Sequence, residues 1–121
     1  MDTKSKGFYA EDVADAFLKK QGYKICARNY SPKTNFQGGE IDIVAKTGET
    51  IHFVEVKSRS TDIFGLGREA VTVKKQKIIR RMAERWLLEN NLYDKVYVSF
   101  DVIEITYKLN TPVIEFLENC F

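Results

Sequence analysis

The sequence predicts an α/β fold in which a mixed central β-sheet carries flanking helices in the order αβββαββ. Three observations lead there. Two segments repeat their apolar residues at helical spacing, five shorter runs alternate or are rich in β-branched and aromatic residues, and Gly/Pro-containing polar stretches separate them. At 121 residues and 44% hydrophobic the chain can bury one substantial core and is too short for two ordinary domains, so residues 1–121 are expected to form one domain.

Ala10, Val13, Ala14, Phe17 and Leu18 follow the i, i+3, i+4, i+7, i+8 pattern of one helical face, and Gly22 is placed to end that helix. YKICARNY then alternates as a strand does, and SPKTNFQGG has the composition of a loop. Two strands follow, EIDIVA and TIHFVEVKS, and then a second loop, STDIFGLG. From about Val71 to Asn90 the chain is helical again, with Ile79, Met82, Ala83 and Trp86 as its buried stripe. KVYVSFDVIEITY is the next strand, and a turn at Asn110 to Pro112 leads into the last, VIEFL.

The net charge is only +2, yet its distribution is uneven. Between Val56 and Arg85 stand nine basic residues (Lys57, Arg59, Arg68, Lys74, Lys75, Lys77, Arg80, Arg81, Arg85) against three acids (Asp62, Glu69, Glu84). A locally basic segment of this kind can attract a phosphate backbone. Lys74, Lys77, Arg81 and Arg85 line one side of the second helix, opposite its apolar stripe; taken alone, such a stripe is most simply an ordinary solvated face. Cys26 and Cys120 have no ligand spacing and His52 is the only histidine, which excludes a structural zinc site. Both cysteines are expected to be small buried or half-buried residues. The first residues, MDTKSKGFYAEDVADAF, lack the apolar core of a signal peptide, and no run is long enough to span a membrane. A cytoplasmic protein with reduced thiols and no membrane partner is the resulting expectation.

The informative stretch is GGEIDIVAKTGETIHFVEVKSRS, a hydrophobic hairpin interrupted by charges. Side chains alternate across a strand, so a two-residue turn at Thr47-Gly48 or Gly48-Glu49 pairs even positions of one strand with odd positions of the other. That turn gathers Ile41, Ile43, Ala45, Val54 and Val56 on one face and Asp42, Glu55 and Lys57 on the opposite one. Glu40 lies on the charged face one pleat from Asp42, and His52 falls on the face away from Glu55. Two carboxylates about 4 Å apart repel by roughly 4 kcal/mol at an effective dielectric near 20, so the pair needs a cation or a proton. Either Lys57 and Arg59 neutralise Glu55 and Asp42 as a salt-bridged strand face, or the carboxylates hold a divalent cation such as Mg²⁺.

Asp42, a turn, and Glu55-Val56-Lys57 resemble the D…ExK core of the PD-(D/E)xK nucleases, a superfamily that includes Holliday junction resolvases. KGFYAEDVADAFLKKQGYKICARNY, the charged hairpin, GREAVTVKKQKIIRRMAERWL and SFDVIEI together resemble the YraN-like family of small bacterial proteins placed in that superfamily. The superfamily's proline is absent, since Ile41 precedes Asp42, but both acids and the lysine are present. The resemblance implies a restriction-endonuclease-like fold and metal-dependent hydrolysis of phosphodiester bonds in DNA, with branched or damaged structures as candidate substrates. It implies that Asp42, Glu55 and the Val56 carbonyl hold Mg²⁺ or Mn²⁺ and that Lys57 orients water or stabilises the developing charge. Glu11 matches an acidic position on the first helix of related nucleases and is either a further ligand or an exposed acid. Arg28, Arg59, Arg68, Lys74 and Lys77 are the candidate DNA contacts. Gln76 is a further polar candidate, and Asp101, in the FDV element, is a candidate for an ion pair, a strand-end cap or catalysis. The competing readings are a nucleic-acid-binding protein that keeps the nuclease fold without catalysis, and a protein–protein adaptor.

Overall fold

Both apolar stripes form helices, and the five strand-like runs form one sheet. The computed structural model describes residues 3–32, 39–59 and 71–121, with side chains at 10–32, 39–58 and 71–121. The elements are α1 (Thr3–Lys20), β1 (Lys24–Tyr30), β2 (Ile41–Thr47), β3 (Thr50–Arg59), α2 (Val73–Glu89), β4 (Tyr97–Lys108) and β5 (Thr111–Leu117). Their order is the expected αβββαββ, and the strands lie side by side as β1-β2-β3-β4-β5. Only β3 and β4 are parallel, joined by the crossover that contains α2. No described helix is long and apolar enough to cross a membrane.

The termini of the helices follow from local chemistry. Gly22 adopts φ 92°; its N–H donates to Lys19 O (3.0 Å) and that of Tyr23 to Leu18 O (2.9 Å), a Schellman closure that turns the chain into β1. Thr72 caps α2 by accepting from Lys75 N (3.1 Å), so this helix begins at Val73, two residues later than the periodicity suggests.

Both faces of the sheet are covered. α1 supplies Ala10, Ala14 and Leu18 against Ile43, Ala45, Val54, Ile103 and Ile105. α2 supplies Ile79, Met82, Ala83, Trp86 and Leu87 against Val44, Ile51, Phe53, Phe100 and Val102. The hairpin face that carries the charges is therefore apolar and helix-covered along most of its length, and charged only at one end. Ile41, expected beside Ile43, packs instead with the α2-side cluster, beyond the point where the β2–β3 ladder ends at Ile43↔Val54.

Further expectations change. The register of β1 on β2 shifts between Ile25 and Ala27, which makes Cys26 a bulge residue and leaves it exposed, not buried. Cys120 is half-buried, as expected. The last turn is Leu109-Asn110, both at positive φ (50° and 65°), with Lys108 paired to Thr111. Pro112 thus lies inside β5, which is tolerable because β5 is an edge strand.

A candidate acidic site at the sheet fork

The β2–β3 turn is the two-residue one, with Gly48 and Glu49 between the paired Thr47 and Thr50. Gly48 has φ 54° at the first central position, where hairpin turns favour glycine. This turn sets the register Ile43↔Val54, Val44↔Phe53, Ala45↔His52, Lys46↔Ile51, and its continuation puts Asp42 opposite Glu55. The backbone ladder ends at Ile43↔Val54; beyond it the Asp42 side chain takes over, Oδ2 accepting from Val56 N at 2.8 Å. The strands open into a fork at the two acids, and the hydrogen bond fixes the Asp42 carboxylate within it.

Glu11 reaches the same place from α1. One carboxylate oxygen each from Glu11, Glu40 and Asp42 lie within 4.8 Å of one another. Glu40, which alternation places one pleat away, is thus part of the cluster. Asn29, at φ 52° in β1, joins two of these acids: with its amide nitrogen turned toward them it donates to Glu40 Oε1 (2.9 Å) and Glu11 Oε1 (2.6 Å). Glu55 is buried, and its Oε1 receives two ammonium groups, Lys75 Nζ at 2.6 Å and Lys57 Nζ at 3.4 Å. Among the described residues no Lys or Arg comes within ion-pair distance of Glu11, Glu40 or Asp42.

That imbalance sets the protonation of the site. Asp42 is pushed up to about 7 by burial first and then by the Glu55 charge; Glu11 adds to the rise, while the Val56 N–H and the Lys75 charge oppose it. Glu11 is also raised, by burial above all, with Arg28 opposing and Glu40, Asp12 and Glu55 adding. For Lys75 burial works against the charge, but the hydrogen bond and charge of Glu55 outweigh it and raise the group above the ordinary lysine value.

An acid raised in the folded state contributes stability that is fully present below its unfolded value near 4 and is lost as pH rises through its folded value near 7. The metal-free protein should lose stability between pH 4 and 7 on account of Asp42, by a few kcal/mol at most. Asp42→Asn should flatten that part of the curve; denaturant melts across the range check it.

The other expected site residues are distributed as follows. Arg28 donates from Nη1 to Asp12 (2.9 Å) and lies 3.9 Å from Asp15, so its charge is engaged on α1. Lys74 and Lys77 are exposed on the first turns of α2, on either side of Lys75, and Arg81 and Arg85 continue their exposed stripe. Arg68 and the side chain of Arg59 lie outside the described residues, so any neutralising role of Arg59 does too. Gln76 does not reach the acids: its Nε2 donates to Val71 O at 3.0 Å. His52 lies on the α1 side, as parity requires, and is buried, with Nδ1 2.7 Å from Asp101 Oδ2 and Nε2 2.8 Å from Thr47 Oγ1. Asp101 is completely buried and accepts as well from Ser99 Oγ and from Asn119 N (3.0 Å), which makes it an internal anchor.

Two site residues escape sequence reasoning. Asn29 gives no signal, since its role depends on a left-handed backbone and on a fork assembled from distant segments. Lys75 does give one: it precedes Ile79, Met82 and Trp86 by 4, 7 and 11 positions, so it continues the buried stripe one turn earlier. A lysine at that phase needs a carboxylate to face.

These features define a class: an α/β protein whose mixed sheet opens into a fork lined by carboxylates and flanked by lysines. The chain belongs to the uncharacterised protein family UPF0102, whose sequence profile matches residues 10–105. It is 43% identical over 120 residues to a UPF0102 protein of Clostridium perfringens strain 13, covering 98% of this chain and 94% of the relative. A UPF0102 protein of Geobacter metallireducens is 41% identical over 121 residues, with 100% and 95% covered, and one of Caldicellulosiruptor saccharolyticus is 38% identical over 123 residues, with both chains covered completely.

Proposed function

We propose that the protein is a metal-dependent endonuclease of the PD-(D/E)xK type, acting on DNA through the fork. The observation that carries this reading is the excess of carboxylate over paired cations there among the described residues. A salt-bridged structural face would match each acid with a cation and hold the acids below their ordinary range, whereas Asp42 is raised to about 7 amid Glu11 and Glu55. Such an arrangement is costly in the metal-free fold and suits a divalent cation.

The donor set fits a hard cation. Every group in the cluster offers oxygen, His52 is engaged with Asp101 and Thr47, and Cys26 stands exposed on β1; Mg²⁺ or Mn²⁺ is the matching choice. Asp42 would hold it with Glu11 and Glu40 from the three-acid group, and Glu55, which lies outside that group but faces Asp42 across the fork, and the Val56 carbonyl would be the further ligands. When bound, the cation supplies Lewis acidity toward water and phosphate. Asp42 is oriented for this by the Val56 N–H. Lys57, rooted in the central strand on the Glu55 face, is placed to orient the attacking water and to donate to the phosphate oxygens as negative charge grows. The exposed Lys74 and Lys77 begin beside the site and continue as the α2 stripe, a track for a sugar–phosphate backbone.

The test is incubation with linear, single-stranded, flapped and four-way-junction DNA in Mg²⁺ or Mn²⁺. Metal-dependent cleavage of at least one substrate is expected. Lys74→Ala with Lys77→Ala should weaken binding to all of them and lower its salt dependence by about one unit of slope for each phosphate interaction removed. Salt-dependent binding without any cleavage would instead support the non-catalytic DNA-binding reading, and absence of both would favour the adaptor.

A further inference from the structure

We propose that Lys75 is a built-in counterion that occupies the metal's place on Glu55, and that a divalent cation loads by displacing the Lys75 ammonium from that carboxylate. This rests on the metal-binding reading above and adds an exchange step to it.

The position of Lys75 is fixed by the helix. The Thr72 cap starts α2, and the packing of Ile79, Met82 and Trp86 against the sheet sets its rotation, which turns Lys75 toward the fork while Lys74 and Lys77 face outward. Its Nζ lies 2.6 Å from Glu55 Oε1, closer than the 3.4 Å of Lys57, and both ammonium groups share that one oxygen. Mg²⁺ or Mn²⁺ coordinated at that same oxygen would stand against both ammonium groups.

For the cation to take that oxygen one ammonium must leave, and the structure distinguishes them. Lys57 projects from the central strand and its side chain is 24% exposed. Lys75 projects from the first turn of a surface helix and its side chain is 38% exposed, so it can swing to solvent beside Lys74 and Lys77. The exchange would release a positive charge onto the side where a phosphate backbone would run.

Mn²⁺ titration of the full chain, with free ion followed by electron paramagnetic resonance, tests this. Lys75→Met and Lys75→Gln both suit a helix, and circular dichroism checks that each is folded. Both should bind Mn²⁺ about tenfold more tightly than the wild type, the size of a typical coupling between competing ligands. Lys77→Ala removes a charge from the same turn without touching Glu55 and should change affinity by no more than about twofold. Equal affinities in wild type and Lys75 variants, an equal gain in Lys77→Ala, or weaker binding in the Lys75 variants would each overturn the exchange while leaving the metal site standing. Absence of Mn²⁺ binding in every protein would overturn the metal reading itself and the exchange with it.

Discussion

In the proposed nuclease, Asp42→Asn and Glu55→Gln should each reduce metal-dependent DNA cleavage by about 10³-fold or more, equivalent to about 4 kcal/mol of lost transition-state stabilisation. Their effects on the metal-free fold should be different. In Asp42→Asn the new amide keeps an oxygen able to accept from the Val56 N–H while a charge is removed from beside Glu11 and Glu55, so stability near pH 7 should hold or rise. Glu55→Gln removes the anion that Lys75 and Lys57 share and should cost stability. Activity is read from single-turnover rates and stability from denaturant melts. A structural salt-bridged face predicts the opposite for Asp42, a loss of stability with no change in any activity.

Asp101→Ala should be the most damaging substitution outside the site. The Asp101 carboxylate is completely buried and satisfies His52 Nδ1, Ser99 Oγ and the Asn119 backbone N–H together. Its removal leaves the buried His52 Nδ1 without its partner and the Asn119 N–H without its acceptor, while Ser99 Oγ keeps Asn119 Oδ1 at 2.9 Å, at a cost of about 3–5 kcal/mol. For a domain of this size that is a fall in Tm of about 10 °C or more. The same bonds fasten the residues after β5, where Cys120 N also donates to Phe100 O at 2.7 Å, so amide exchange at Asn119 and Cys120 should accelerate. Asp101→Asn, which keeps the volume and one acceptor oxygen, should lose less. Cleavage per folded molecule should be unchanged in both, since His52 and Asp101 lie on the α1 side of β3 and β4.

Much of the fold is legible in periodicity because each element buries a continuous stripe or face. The Ala10–Leu18 and Ile79–Trp86 stripes both pack on the sheet, and the parity of a two-residue turn is enough to oppose Asp42 to Glu55. What periodicity does not carry depends on breaks in those periods. The bulge at Cys26, the change of side at Ile41 and the left-handed Leu109-Asn110 turn are local departures that cost little and leave no pattern in composition. At the candidate site, the opposition of Asp42 to Glu55 and the shared face of Glu55 and Lys57 follow from strand parity, whereas Glu11 is suggested only by resemblance, with an exposed acid as the alternative reading. Glu40 is less legible, because it precedes the first residue of β2 and strand alternation does not fix its side, and Asn29 not at all, because three separate segments must meet before its amide has partners. Lys75 is hidden in a basic run whose other members face solvent, although its phase with Ile79 distinguishes it.

The most direct test of the account is anomalous diffraction from crystals of the protein grown in Mn²⁺. The account predicts a peak in the fork, with oxygens of Asp42 and Glu55 at about 2.0–2.2 Å and the Lys75 ammonium withdrawn from Glu55. A fork without a peak, or a peak whose ligands do not include Asp42, would contradict it.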